Sequence, residues 1–127
     1  MATRIGLAIN GEVLDAVLND SQTAQAFRER LPLTIRMSRW GDEYYGSLGQ
    51  ALPVEEAADA RDVMEVGEFA YWLPGSALCI FFGPTPMSVG DEPRAASVVN
   101  PVGKLTSGVD VLKGLGPSVT VEVAIAD

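Results

Sequence analysis

The sequence predicts a mainly β protein, built as a closed barrel of about eight short strands with one main helix and a second, shorter one. Segments of alternating apolar and polar residues, separated by Gly and Pro turns, run along the whole chain. A central run at residues 77–82, ALCIFF, is apolar on both alternating faces, which is typical of a strand covered on both sides. An open sheet this rich in valine would expose edges that invite aggregation, so closure is favoured.

The first two strands are joined by a strong hairpin signal. Residues 3–9 alternate between apolar and polar side chains, and Asn10-Gly11 follows. Both of these residue types tolerate the positive φ of a two-residue turn. The apolar spacing of residues 12–18 would also suit a helix, but the turn requires a partner strand and therefore predicts one.

The main helix is predicted over residues 21–30. Polar N-cap candidates precede it, and Ala24, Phe27 and Leu31 lie three and four residues apart along one stripe. Pro32 ends the helix, because the residue before a proline avoids the α region.

The rest of the chain is predicted as short strands with one more helix. The strands are residues 33–40, 43–48, 63–66, 69–72, 77–82, 96–105 and 119–125, and the short helix is 108–115. Alternation in the central run places Leu78, Ile80 and Phe82 on one face and its other three residues on the opposite face. Pro101 and Gly103 predict a bulge or bend in the strand that contains them.

Composition narrows the classes of partner. At 127 residues the chain predicts one domain, residues 1–127. Its net charge of −8 disfavours nucleic acid and membrane surfaces as partners. The acidic stretch at residues 55–68 lacks the ligand pattern of a cation-binding loop and is interpreted as a solvated face. No signal-peptide run and no run of roughly 20 apolar residues is present, which predicts a cytoplasmic protein.

The chain has no histidine and one cysteine, Cys79. This composition excludes His-dependent catalytic triads, His-ligated zinc, Cys-only metal sites and an intramolecular disulfide. Cys79 is interpreted as a small buried hydrophobic residue. No cofactor and no metal site are predicted.

The chain resembles the cyclophilins between residues 75 and 115. The segments that carry this resemblance are GSALCIFFGPTPM at 75–87, SVV at 97–99, GK at 103–104 and GVDVL at 108–112. A closer resemblance, to a group of small prokaryotic cyclophilin-like proteins, covers nearly the whole chain. It rests on RWGDE at 39–43, EVGE at 65–68, YWxPG at 71–75 and FFGxTPMS at 81–88, where x is a position outside the resemblance. This resemblance implies a compact closed barrel, and the group has no settled biochemical function.

The departures from the cyclophilins concern the residues that isomerise X-Pro bonds. Ser97 stands where that family has a histidine, and Ala77 where it has a glutamine. Met87 and Cys79 replace two aromatic residues of the pocket. The segments that carry the catalytic arginine are missing. The resemblance therefore implies a barrel without efficient isomerase activity.

The predicted ligand-binding groove consists of aromatic residues, a methionine and an arginine. Its members are Trp40, Tyr45, Trp72, Phe82, Met87 and Arg94. Aromatic side chains beside methionine at strand ends suit an apolar groove with a polar rim. The alternative is that these side chains plug the ends of a small barrel, and this is favoured for Phe82. Arg94 lies in the loop expected to cover the outer face, whereas Arg36 and Arg39 are interpreted as surface arginines.

Three functions from different classes are consistent with these residues. The first is a binding module for a small molecule or an extended peptide. The second is a residual or altered peptidyl-prolyl isomerase, and the third is a protein-interaction module. No pattern in the sequence identifies the ligand, the oligomeric state or the pathway.

Overall fold

Eight antiparallel strands close into a barrel in the computed structural model, which describes residues 3–126. The strands are β1 (Thr3–Ile9), β2 (Glu12–Leu18), β3 (Leu33–Arg39), β4 (Glu43–Ser47), β5 (Arg61–Val63), β6 (Glu68–Trp72), β7 (Ala77–Phe81), β8 (Arg94–Leu105) and β9 (Ser118–Ile125). The helices are α1 (Gln22–Arg28) and α2 (Val109–Lys113), and a 3-10 turn spans Leu73–Gly75. The order around the barrel is β2-β1-β9-β3-β4-β7-β6-β8, and pairing of β2 with β8 closes the ring. The predicted closed barrel with two helices is confirmed.

The hairpin between β1 and β2 forms as the sequence predicts. Asn10 and Gly11 both have positive φ, at 51° and 82°. Ile9 pairs with Glu12 directly across this two-residue turn. The segment at residues 12–18 is therefore a strand rather than the start of a helix.

Helix α1 begins after Ser21, whose hydroxyl accepts a hydrogen bond of 3.0 Å from the Ala24 N–H. The helix ends at Arg28, two residues earlier than predicted. The N–H groups of the next turn bond to carbonyls three residues back, which tightens the chain before Pro32. Among residues 3–126, no helix is long and apolar enough to cross a membrane.

Strand β8 belongs to two layers. Its first half pairs with β5, which lies outside the ring, and its second half pairs with β6 and β2 in the barrel wall. Opposite β6 the register passes over Val102, because Phe69 pairs with Gly103 and Ala70 pairs with Pro101. This irregularity confirms the predicted bulge. Bulged strands bend, which allows β8 to leave the barrel wall and form an outer layer over it.

Strand β5 lies slightly earlier in the chain than the predicted strand at residues 63–66. It pairs with β8 through Arg61 and Val63 and then ends. The next N–H group, that of Met64, donates to the Pro93 carbonyl in the loop before β8. Pairing with a distant part of the chain thus decides where this short strand lies.

The apolar residues form two clusters, one on each side of the barrel wall. The larger fills the interior, and every strand of the ring contributes to it. The smaller lies on the outer side and consists of Met64, Ala70, Cys79, Phe81, Ala95 and Val99. All five residues of β7 are buried, with Leu78 and Ile80 in the interior cluster and Cys79 and Phe81 in the outer one. The prediction that the central strand is covered on both faces is confirmed.

Candidate functional site

An apolar pocket opens on the outer side of the barrel. One side of it is the barrel wall, formed here by β4, β7 and the end of β6, and the other side is the first half of β8. Its cavity volume is about 290 Å³. The lining residues are Trp40, Glu43, Tyr45, Trp72, Cys79, Ala95, Ala96 and Val99. Three of the six predicted groove residues, all aromatic, therefore line one cavity.

Strand alternation brings the floor of the pocket together. Tyr44 points into the barrel, so its neighbours Glu43 and Tyr45 share the outer face of β4. Tyr45 pairs directly with Cys79 of β7. The carboxyl of Glu43 and the thiol of Cys79 consequently lie side by side beneath the aromatic walls.

Trp72 is held in place by its surroundings. Its indole N–H donates a hydrogen bond of 2.7 Å to the Ser97 hydroxyl, which ties the end of β6 to β8. The ring also lies against the backbone of Gly75, where an added Cβ would approach it to 2.6 Å. Only glycine fits at that position without displacing the indole. The wall formed by Trp72 is thus positioned before any ligand arrives.

Glu43 is the unusual residue of this pocket. Its side chain is almost fully buried, with 4% of the residue exposed, and its Oε1 atom has no hydrogen-bond partner among the described residues. Burial among apolar side chains raises the pKa of Glu43 to about 7, and the neighbouring Cys79 thiol offsets only part of this effect. Near neutral pH the carboxyl therefore exists in both protonation states.

Cys79 is not suited to act as a nucleophile. It is 3% exposed, and burial together with the adjacent Glu43 carboxylate raises the pKa of its thiol well above the ordinary value. The thiolate is the reactive form of cysteine, and this environment disfavours it. Its role is to form part of the pocket floor.

Phe82 does not line the pocket. It lies in the barrel interior and is fully buried. Its ring stacks on Tyr44 at a centroid distance of 5.5 Å, and the guanidinium of Arg39 lies 5.0 Å from its centre. The structure thus places Phe82 in the alternative role of packing inside the barrel. Strand alternation carries it inward with Leu78 and Ile80.

Arg39 is more than a surface arginine. Its side chain is only 23% exposed. It pairs with Asp42 at 2.9 Å and donates to the carbonyls of Gly41, Lys113 and Leu115. These contacts close one end of the barrel over the aromatic pair inside, which explains why this guanidinium is not directed toward the outer pocket.

Met87 lies in the loop that precedes β8, and Arg94 is the first residue of that strand. Neither residue lines the pocket. Met87 is 49% exposed. Arg94 forms ion pairs with Glu92 at 3.1 Å and Asp62 at 3.2 Å. Both oxygens of Glu92 also accept backbone N–H groups of the same loop, which lowers the pKa of this carboxyl to about 2. Arg94 thus anchors the loop to the outer layer.

Sequence reasoning did not select Glu43 as a site residue. The available signal was its position two residues before Tyr45, which puts both on one strand face. The structure adds that β8 and Trp72 cover this face. Within residues 3–126, no group of three or more His, Cys, Asp or Glu side chains is arranged to hold a metal ion.

Comparisons with known proteins agree with this architecture. A family model described as cyclophilin-like matches residues 3–124. The solution structure of the hypothetical protein AF2241 from Archaeoglobus fulgidus is similar, with a TM-score of 0.79 and 33% sequence identity. The match covers 98% of this chain and 95% of that chain. No match was found among curated proteins.

Proposed function

The chain belongs to the cyclophilin-like family, and we propose that it uses its outer pocket to bind a small organic ligand. The observation that carries the proposal is the convergence of Trp40, Tyr45 and Trp72 on one cavity of about 290 Å³. That volume is near the lower end of ligand pockets, about 300–1,000 Å³. The pocket therefore suits a molecule the size of a single substituted aromatic ring.

The state of the walls supports binding rather than simple packing. Trp40 and Trp72 are half-buried, and Tyr45 is 42% exposed, so their rings keep apolar surface available to a ligand. The hydrogen bond from Trp72 to Ser97 fixes one wall in advance. A pre-organised wall reduces the entropy lost when a ligand is bound.

The surroundings of the pocket argue against efficient peptidyl-prolyl isomerisation. That reaction has a barrier of about 18–20 kcal/mol, and cyclophilins use an arginine against the substrate amide. No arginine is among the residues that line this pocket, and Arg94 is engaged by two carboxylates. Loss of a positioned donor costs about 10²–10³ in rate. A protease-coupled assay on an Ala-Pro peptide is expected to give a rate close to the uncatalysed one, and cyclophilin-like turnover would refute this part.

Tryptophan fluorescence tests ligand binding directly, because Trp40 and Trp72 both line the cavity and are the protein's two tryptophans. Titration with single-ring aromatic compounds is expected to change their emission in a saturable way. Ala96→Leu, which adds bulk to the lining, should weaken binding at least about tenfold, about 1.4 kcal/mol. Val98→Leu is the matched control, because Val98 is exposed on the same strand and does not line the cavity. Absence of any saturable response across the compounds would refute the proposal.

A further inference from the structure

A buried carboxyl group without a partner is costly, and proteins normally pair such groups. Glu43 is 4% exposed, lines the pocket, and leaves Oε1 without a hydrogen-bond donor among the described residues. No lysine or arginine lines the same cavity. The Cys79 thiol offsets only part of the cost of this burial, so a second donor for Oε1 would have to come from the pocket.

The remaining walls indicate what kind of donor fits. Trp40, Trp72 and Tyr45 line the cavity, and the faces of aromatic rings attract cations, those of tryptophan most strongly. Aromatic walls around a carboxylate favour an organic ammonium ion, which satisfies both at once. The net charge of −8 also raises the local concentration of cations and lowers that of anions.

We propose that this pocket binds a small organic ammonium ion, with the ammonium group donating to the Glu43 carboxylate and the organic group against Trp40 and Trp72. The inference rests on the proposed function and names the ligand class of that site. An aromatic hydrocarbon would fill the cavity but leave Oε1 without a hydrogen-bond donor. An anionic ligand would meet the carboxylate directly and be repelled.

Binding of an ammonium ion is linked to the protonation of Glu43. The other titratable groups that line the cavity are Cys79 of β7 and Tyr45 of the same strand, whereas Trp72 of β6 and the three β8 residues carry no charge. A bound cation favours the carboxylate, so binding below pH 7 displaces a proton from Glu43. Affinity should accordingly increase as the pH rises from 5.5 to 8, where the ligand itself remains charged.

Three single-ring probes test the inference: benzylammonium, toluene, which has no hydrogen-bond donor, and benzoate. At pH 8, benzylammonium is expected to bind at least about tenfold more tightly than toluene, and benzoate should bind least. Lowering the pH to 5.5 should weaken benzylammonium about tenfold or more and leave toluene unchanged. Glu43→Gln should remove the preference for the ammonium ion over toluene, whereas the control variant Val98→Leu should keep it.

Calorimetry of the wild-type protein gives a second readout that needs no variant. In two buffers of different ionisation enthalpy at pH 6.5, benzylammonium binding should release a measurable fraction of one proton, and toluene binding should release none. Equal affinity for benzylammonium and toluene, or no proton release, would overturn the ammonium inference and leave the ligand-binding proposal intact. Failure of every aromatic compound in the fluorescence titration would overturn both.

Discussion

Glu43 and Glu68 are two largely buried glutamates on the outer side of one barrel wall, and their surroundings are opposite. Glu68 lies between the wall and β5, where Arg61 donates to both of its oxygens at 2.9 and 2.6 Å and the Glu65 N–H donates at 2.7 Å. Glu43 lies in the pocket, with one oxygen unpartnered among residues 3–126. Both residues are buried, with 9% of Glu68 and 4% of Glu43 exposed.

The pKa values of the two carboxyl groups are shifted in opposite directions. Burial alone raises the pKa of both carboxyl groups, and for Glu43 burial prevails. For Glu68 the hydrogen bonds from Arg61 and the Glu65 backbone, with the positive charge of Arg61, outweigh burial and lower the pKa. A carboxylate whose partners belong to the fold contributes to stability. A buried carboxylate without such partners reduces stability.

The largest expected effect is on the pH dependence of stability at Glu43. The folded protein keeps the Glu43 proton up to about pH 7, whereas the unfolded chain releases it near 4.5, so the free energy of unfolding falls as the pH rises between these values. The loss approaches about 3 kcal/mol above pH 7. Chemical denaturation of wild type and Glu43→Gln from pH 4 to 8 measures it as a growing difference between the two profiles. Parallel profiles would show that Glu43 titrates normally.

The second effect concerns Glu68, with the opposite sign. Its lowered pKa means that its contribution to the free energy of unfolding is present above about pH 4.5 and is lost as the pH falls through its folded value. Glu68→Gln is expected to cost about 1–3 kcal/mol at pH 7, toward the lower end because the Arg61 side chain is 41% exposed. The same denaturation measurement tests this. If the variant is as stable as wild type at pH 7, Glu68 contributes no more to stability than an exposed ion pair does.

The smallest effect on the free energy of unfolding is expected for an exposed ion pair close to Glu68. Glu65 pairs with Lys104 at 2.7 Å, but the two side chains are 71% and 50% exposed. Exposed pairs contribute little, because water and salt screen them. Glu65→Gln is therefore the matched control for Glu68→Gln, and its free energy of unfolding should equal that of wild type within error. A loss as large as that of Glu68→Gln would mean that the whole ion-pair group acts as one unit.

Most of the fold follows from local patterns. Alternation and the Asn10-Gly11 turn predict the first hairpin, and the apolar run at residues 77–82 predicts a strand buried on both faces. Where the ends of an element differ from the prediction, the cause lies in a distant part of the chain. Strand β5 lies where the distant β8 offers a partner, and nothing in its own sequence encodes that pairing.

The candidate site was predictable only in part, for a related reason. Trp40, Tyr45 and Trp72 were selected as aromatic residues near strand ends, and the structure brings them to one cavity. Alternation carries Phe82 to the interior, and ion pairs with Asp62 and Glu92 hold Arg94. Glu43 was missed because a missing partner is a property of the surroundings. Its recognition requires the covering layer of β8, which lies more than fifty residues further along the chain.

The division of β8 between two layers has a consequence for how this family can diversify. Ala96, in the first half, lines the pocket, and larger or smaller residues there would resize the cavity without entering the barrel. Gly103, in the second half, allows no such freedom, because an added Cβ would lie 2.3 Å from the Val17 carbonyl across the closing seam. Substitutions can therefore change the shape of the pocket at one end of the strand while the other end is held constant. Under the proposed function, relatives with different ligands should vary at the position of Ala96 and retain glycine at the position of Gly103.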